Sequence, residues 1–195
     1  MPASKDFQLY FIALIPPEPF FSEVLGLKNE VKDRFNSKAA LNSPPHVTLH
    51  MPFRFKESKE EMINSTLSAY CQKRQSFQVI QNGLGAFEPR VIFVNVEESE
   101  ALADLQRELL KTMRMELKLD STNYKNQGFH PHMTIAFRDL KKSIFPEAWN
   151  HFKNKSINKT WPAEVIHLLK HKGQHWEVFK SFALQKEVRT LSLPN

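Results

Sequence analysis

A single cysteine, Cys71, stands in this chain of 195 residues. No disulfide can form within it, and a thiol placed among helically spaced apolar residues reads as a packing group, not a nucleophile. Glycine is also scarce, at five residues, and none of them builds the Gly-rich turn of a dinucleotide-binding fold. Long apolar runs are missing too. Residues 11–17 form one of the longest and fall far short of the roughly 20 that a membrane helix needs. No basic segment leads into a sustained apolar stretch and a small-residue cleavage site at the start of the chain, so no membrane partner is expected and a cytoplasmic protein is. Neither sign of charge dominates: 27 Lys and Arg face 21 Asp and Glu, a net charge of +6. That balance suits a polyanionic partner without identifying one. The lysines at 153, 155 and 159 read as a solvated loop.

With 41% apolar residues, the chain has material for one good core or for two small lobes sharing one, and residues 1–195 read as a single domain. Aromatic and β-branched residues over 7–15 end at Pro16-Pro17, which predicts a strand. Apolar residues at three- and four-residue steps from Phe20 to Phe35 predict a helix opened by Pro19. A strand over 46–51 follows. Ser58 and Glu61 resemble a capping box for a helix reaching about Arg74. Strands are predicted over 77–84 and 90–96, a helix beyond Ser99, a strand over 129–137 after a polar stretch, and a short helix over 143–152. The tail reads as a hairpin folded at Lys172-Gly173-Gln174.

What the chain does contain is a repeated pattern. His46-Val47-Thr48-Leu49 and His132-Met133-Thr134-Ile135 share His-apolar-Thr-apolar, each follows a proline, and each is followed by Phe-Arg at 53–54 and 137–138. In a strand the imidazole and hydroxyl of such a motif share one face while Val47, Leu49, Met133 and Ile135 enter a core. Two such strands facing across a groove predict two similar lobes related by an approximate twofold axis. They would set a histidine on either side of a phosphorus atom, one taking and one giving a proton, with Thr48 and Thr134 holding its non-bridging oxygens. Parity also turns His50 and Arg54 on one strand, and His130 and Arg138 on the other, toward the groove as candidate substrate contacts. Phe53, Tyr124 and Phe129 lie near the motifs and either stack a base or, the plainer reading, pack in the core or a loop. A metal site would need a third ligand, and neither strand places a carboxylate on the histidine face, so no metal is expected. His151, His167, His171 and His175 read as surface or hairpin residues.

These motifs, together with the stretches QLYFIALIPP, EPRVIFVNVEESEALADLQREL and FHPHMTIAF, resemble the 2H phosphoesterase superfamily, and within it the 2′-5′ RNA ligase and RNA 2′,3′-cyclic phosphodiesterase group. The resemblance implies an α+β, bilobal fold whose two antiparallel sheets line a central cleft with helices outside, working without a cofactor. It implies His46 and His132 as the acid and base, and Thr48 and Thr134 as phosphate ligands. The partner implied is an RNA end or a nucleotide bearing a 2′,3′-cyclic phosphate or a 2′-5′ linkage, and a monomer is expected. Phe137 stands where many members carry an arginine, with Arg138 one place later. A nucleotide- or RNA-binding module with the same cleft and little turnover is the alternative, and a metal-dependent hydrolase a third.

Overall fold

The computed structural model describes residues 6–120 and 128–186. Along the chain run β1 (Phe7–Leu14), α1 (Phe20–Phe35), a 3-10 turn (Ala39–Asn42), β2 (Val47–Lys56), a second 3-10 turn (Glu57–Lys59), α2 (Glu60–Cys71), β3 (Phe77–Phe87), β4 (Val91–Val96), α3 (Glu100–Leu117), β5 (His132–Ala136), α4 (Phe145–Phe152), β6 (Asn158–Ala163), β7 (Val165–Lys172) and β8 (His175–Ala183). The strands form two four-stranded sheets, ordered β2-β1-β7-β8 and β5-β4-β3-β6. Every pairing is antiparallel. This is the α+β, two-sheet architecture that the repeated motif and the resemblance imply.

The two motif strands occupy equivalent places: β2 is an edge of the first sheet and β5 an edge of the second, and the two edges approach each other. The helices are exchanged between the sheets. Helix α1 leaves β1 but packs on β5, whereas α3 leaves β4 and packs on β2 and α2. One continuous core results, in which Tyr10, Ile12, Leu14, Val47 and Leu49 of the first sheet meet Ile92, Val94, Met133 and Ile135 of the second, closed by Val24 and Val31 of α1 and Leu102, Leu105 and Leu109 of α3. Burying a side chain of this size contributes roughly 1.5–3 kcal/mol, so the four apolar motif residues, all fully buried, bind the site strands to the core.

Local signals explain most boundaries. Ser99 begins α3 by accepting the Leu102 N–H at 3.2 Å, which satisfies one of the helix's orphan donors. Gly173, at φ +67°, supplies the left-handed residue that the β7–β8 turn needs. Two expectations fail. The proposed capping box does not form: α2 is preceded by a 3-10 turn, and Lys59 at its N-cap makes no side-chain cap bond. The acidic residues there serve the buried Lys170, which donates to Glu57 and Glu60, while the Tyr10 hydroxyl also donates to Glu60. The lysine-rich segment is also more than a loop. Lys159 lies in β6, an edge strand on which only Trp161 and Ala163 turn inward; two inward positions among exposed neighbours are too few to show alternation. Lys159 pairs with Glu23 and Lys155 with Glu30. Tyr124 lies outside the described residues.

Candidate active site

The first motif reaches its place through a turn and two prolines. Pro45 holds Pro44 in extended backbone, and the His46 Nδ1–H donates to the Pro44 carbonyl at 2.7 Å. A carbonyl only accepts, so this bond fixes the tautomer and makes Nε2 the nitrogen that can take up a proton. The His46 ring packs 4.8 Å from Phe11. Thr48 lies opposite Ala13, on the face of β1 that carries Phe11, while Val47 lies opposite Leu14 and enters the core.

The second motif repeats the device. The His132 Nδ1–H donates to the His130 carbonyl, again at 2.7 Å and again two residues back across a proline. Its ring rests 4.8 Å from Phe93 and 5.3 Å from Phe87. Thr134 lies opposite Phe93 and His132 opposite Asn95. Phe93 can lie flat on this face because Gly85 is beneath it: a Cβ built at Gly85 would stand 2.5 Å from Phe93 Cε2 and 2.6 Å from Asn95 Oδ1.

Burial, helped by neighbouring positive charge, favours neutral imidazoles in the cleft. Burial holds His46 at about 4, assisted by the positive charges of Lys28 and of His132. His132 is therefore close enough for its charge to be felt at His46. Burial also lowers His132, with the charge of His130 acting in the same direction and the bond to the His130 carbonyl opposing it. Both rings are therefore disfavoured as imidazoliums.

The other candidates fare differently. His50 does not face the groove. Two bulges in β2, where Tyr10 pairs with Phe53, Ile12 with His50 and Ala13 with Thr48, reverse the parity after Thr48 and turn His50 to the core side. It is 2% exposed, lies edge-on to Phe53 and contacts the Met51 carbonyl. The second bulge restores the parity, so Arg54, opposite Leu9, is on the Phe11 face but further along β2 from Thr48, and exposed. His130 precedes β5 yet stays at the site, exposed and 5.3 Å from Phe87 and 6.0 Å from His132. The parity argument for Arg138 fails because β5 ends at Ala136. Arg138 sits at φ +53° with its guanidinium 4.7 Å over Phe137. Phe53 is a core residue stacked on Tyr10, and Phe129 packs against the core. Burial pushes the Cys71 thiol up to about 12, so it is inert as a nucleophile.

Sequence reasoning missed several groups that the fold adds. His167, Leu169 and His171 alternate along β7 on the face of Phe11 and Ala13, and Trp176 packs edge-on to Phe11 at 4.7 Å and against His171 at 4.8 Å. Phe11 therefore joins His46 to an aromatic ledge, and the signal lay in the period-2 alternation of His167-Leu169-His171. Phe87, 44% exposed, forms a second ledge beside His132. Among the described residues no group of three His, Cys, Asp or Glu side chains is placed to hold a metal. No helix among them is long and apolar enough to cross a membrane.

The model of the 2′-5′ RNA ligase superfamily matches residues 16–175, an interval that contains both motifs, the whole of the second sheet, and β2 and β7 of the first. The chain belongs to the 2′-5′ RNA ligase superfamily. Membership places it among the 2H phosphoesterases that its motifs resemble. A Bacillus mycoides (strain KBAB4) protein whose name carries the word phosphoesterase is 27% identical over 162 residues, 82% of this chain and 89% of that one. TT0787 of Thermus thermophilus has the same fold, with a TM-score of 0.66, 20% identity, and 92% of this chain and 99% of its own covered. Apo LigT of E. coli superposes with a TM-score of 0.63, at 16% identity, over 93% of this chain and 99% of its own.

Proposed function

We propose that this protein is a metal-independent phosphodiesterase that opens 2′,3′-cyclic phosphates on RNA ends or nucleotides, or cleaves and joins 2′-5′ phosphodiester bonds, through His46 and His132. The observation that carries this reading is the matched anchoring of the two rings, each held by Nδ1 on the carbonyl two residues before it. In the hydrolytic direction His46 Nε2 takes a proton from water as its oxygen bonds to phosphorus. His132 Nε2–H then gives a proton to the departing ribose oxygen as its bond to phosphorus breaks. Thr48 and Thr134 donate to the non-bridging oxygens. A nucleotide in the cleft fits the two aromatic ledges, and E. coli LigT, with this fold, has been solved with 3′-AMP and with phosphate.

The test is turnover of nucleoside 2′,3′-cyclic monophosphates and of a short RNA with a cyclic end, in EDTA, from pH 4 to 9. His46 must be neutral and His132 charged. Rate therefore rises as pH climbs through about 4, where His46 loses its proton. In kcat/KM it falls again below the ordinary histidine value of about 6.5, because His132 is lowered. A bound phosphate favours the imidazolium, so the alkaline limb of kcat lies at higher pH than that of kcat/KM. Tight nucleotide binding with no turnover on cyclic or 2′-5′-linked substrates would establish the binding module instead.

Trp176→Ala is expected to raise KM for nucleotide substrates by about 5- to 150-fold and leave kcat nearly unchanged, since one stacked base is worth roughly 1–3 kcal/mol. An unchanged KM would remove the β7–β8 ledge from the substrate site.

A further inference from the structure

Lys28 is a buried charge that the mechanism leaves unused. It lies on α1 at 1% exposure, and its Nζ donates to the carbonyls of Ala40, at 3.0 Å, and Ser43, at 2.9 Å. Those oxygens belong to the 3-10 turn before β2 and to the residue just after it. The opposite end of the same turn is held by Asp139, which accepts from Lys38 N at 2.8 Å, Ala39 N at 3.0 Å and Ser37 Oγ at 2.6 Å. An anion on the N–H end and a cation on the carbonyl end match the turn's polarity. The next residue, Pro44, supplies the carbonyl that orients His46. Both anchors also come from the other side of the cleft: α1 packs on β5, and Asp139 follows β5.

An ammonium taken out of water is costly, and two carbonyls recover only part of the loss. A methionine would fill similar space without that cost, so a lysine here needs a further reason. We propose that Lys28 is a positioning residue for His46, its ammonium pinning the Ala40 and Ser43 carbonyls so that Pro44 presents the imidazole with Nε2 toward the reacting phosphate. The inference rests on the phosphodiesterase reading for its kinetic consequence, though not for its geometry. The charge of Lys28 acts in the same direction as its bonds, because with burial and His132 of β5 it keeps His46 neutral. Burial brings Lys28 itself down to about 7. Asp139 is the acidic group at the far end of the same turn.

The experiment compares wild type, Lys28→Met and Lys28→Gln by nitrogen-detected NMR of the His46 ring across pH, and by kcat and KM on a cyclic nucleotide. In Lys28→Met the His46 titration midpoint is expected to move upward and kcat to fall about tenfold with KM within about twofold, as slight misplacement of a reacting group would produce. Lys28→Gln keeps an N–H donor without the charge. Its midpoint should move as in the methionine variant while kcat falls less, and it can be read if the methionine variant does not fold. A His46 midpoint and Nδ1–H tautomer unchanged in either folded variant would overturn the proposal, even if stability or activity had dropped. The ring titration needs no turnover, so a wild type without activity would count against the phosphodiesterase reading and leave this test decisive.

Discussion

Replacing His46 or His132 by alanine is expected to lower kcat by at least about 10²-fold with the fold intact, since each substitution removes one proton carrier from the transition state. Both rings are half-buried on the cleft side of their sheets, and the fully buried neighbours Val47, Leu49, Met133 and Ile135 keep each motif strand in the core. Stability should therefore change little, and thermal unfolding followed by circular dichroism checks it. Because acid and base serve the same displacement in the proposed mechanism, the double variant should be scarcely slower than the worse single one. Thr48→Ala and Thr134→Ala remove one hydrogen bond to phosphate each and should cost less. Near-normal turnover in either histidine variant would remove the two-histidine mechanism.

The four motif residues were legible because they obey a rule that survives folding: in a strand, alternate side chains share a face. The same rule misplaced His50, where two bulges in β2 add residues without breaking the strand; nothing in Leu49-His50-Met51 announces them. It misplaced Arg138 because the strand stops at Ala136 and the chain passes through a left-handed residue. Lys28 was visible in part. It stands between Val24 and Val31 on the stripe that α1 buries, and a lysine at the centre of an apolar stripe is a signal of a buried partner. What it holds was not readable, since the Ala40 and Ser43 carbonyls reach it only through the tertiary fold. The aromatic ledges were hidden for a related reason: Phe11 and Trp176 are far apart in sequence and meet only when β7 joins β1 to β8.

Gly85 gives the second large expected effect, and its reason is space, not backbone freedom. It pairs with Phe93, whose ring leans across it, and an added Cβ would lie 2.5 and 2.8 Å from two atoms of that ring. The Asn95 amide can rotate away. The ring cannot move freely, because His132, His130 and Phe87 pack around it at 4.8, 5.7 and 4.5 Å. Gly85→Ala should therefore push Phe93 into His132, costing roughly 1–3 kcal/mol as overpacking does. Displacing His132, the acid of the proposed mechanism, by about 1 Å can lower kcat by about 10²-fold. The check is a double-mutant cycle on kcat and on unfolding free energy. Phe93→Leu makes room for the new methyl, so Gly85→Ala should cost far less in that background than alone. Additive effects would mean that the glycine does not act through the ring that supports His132.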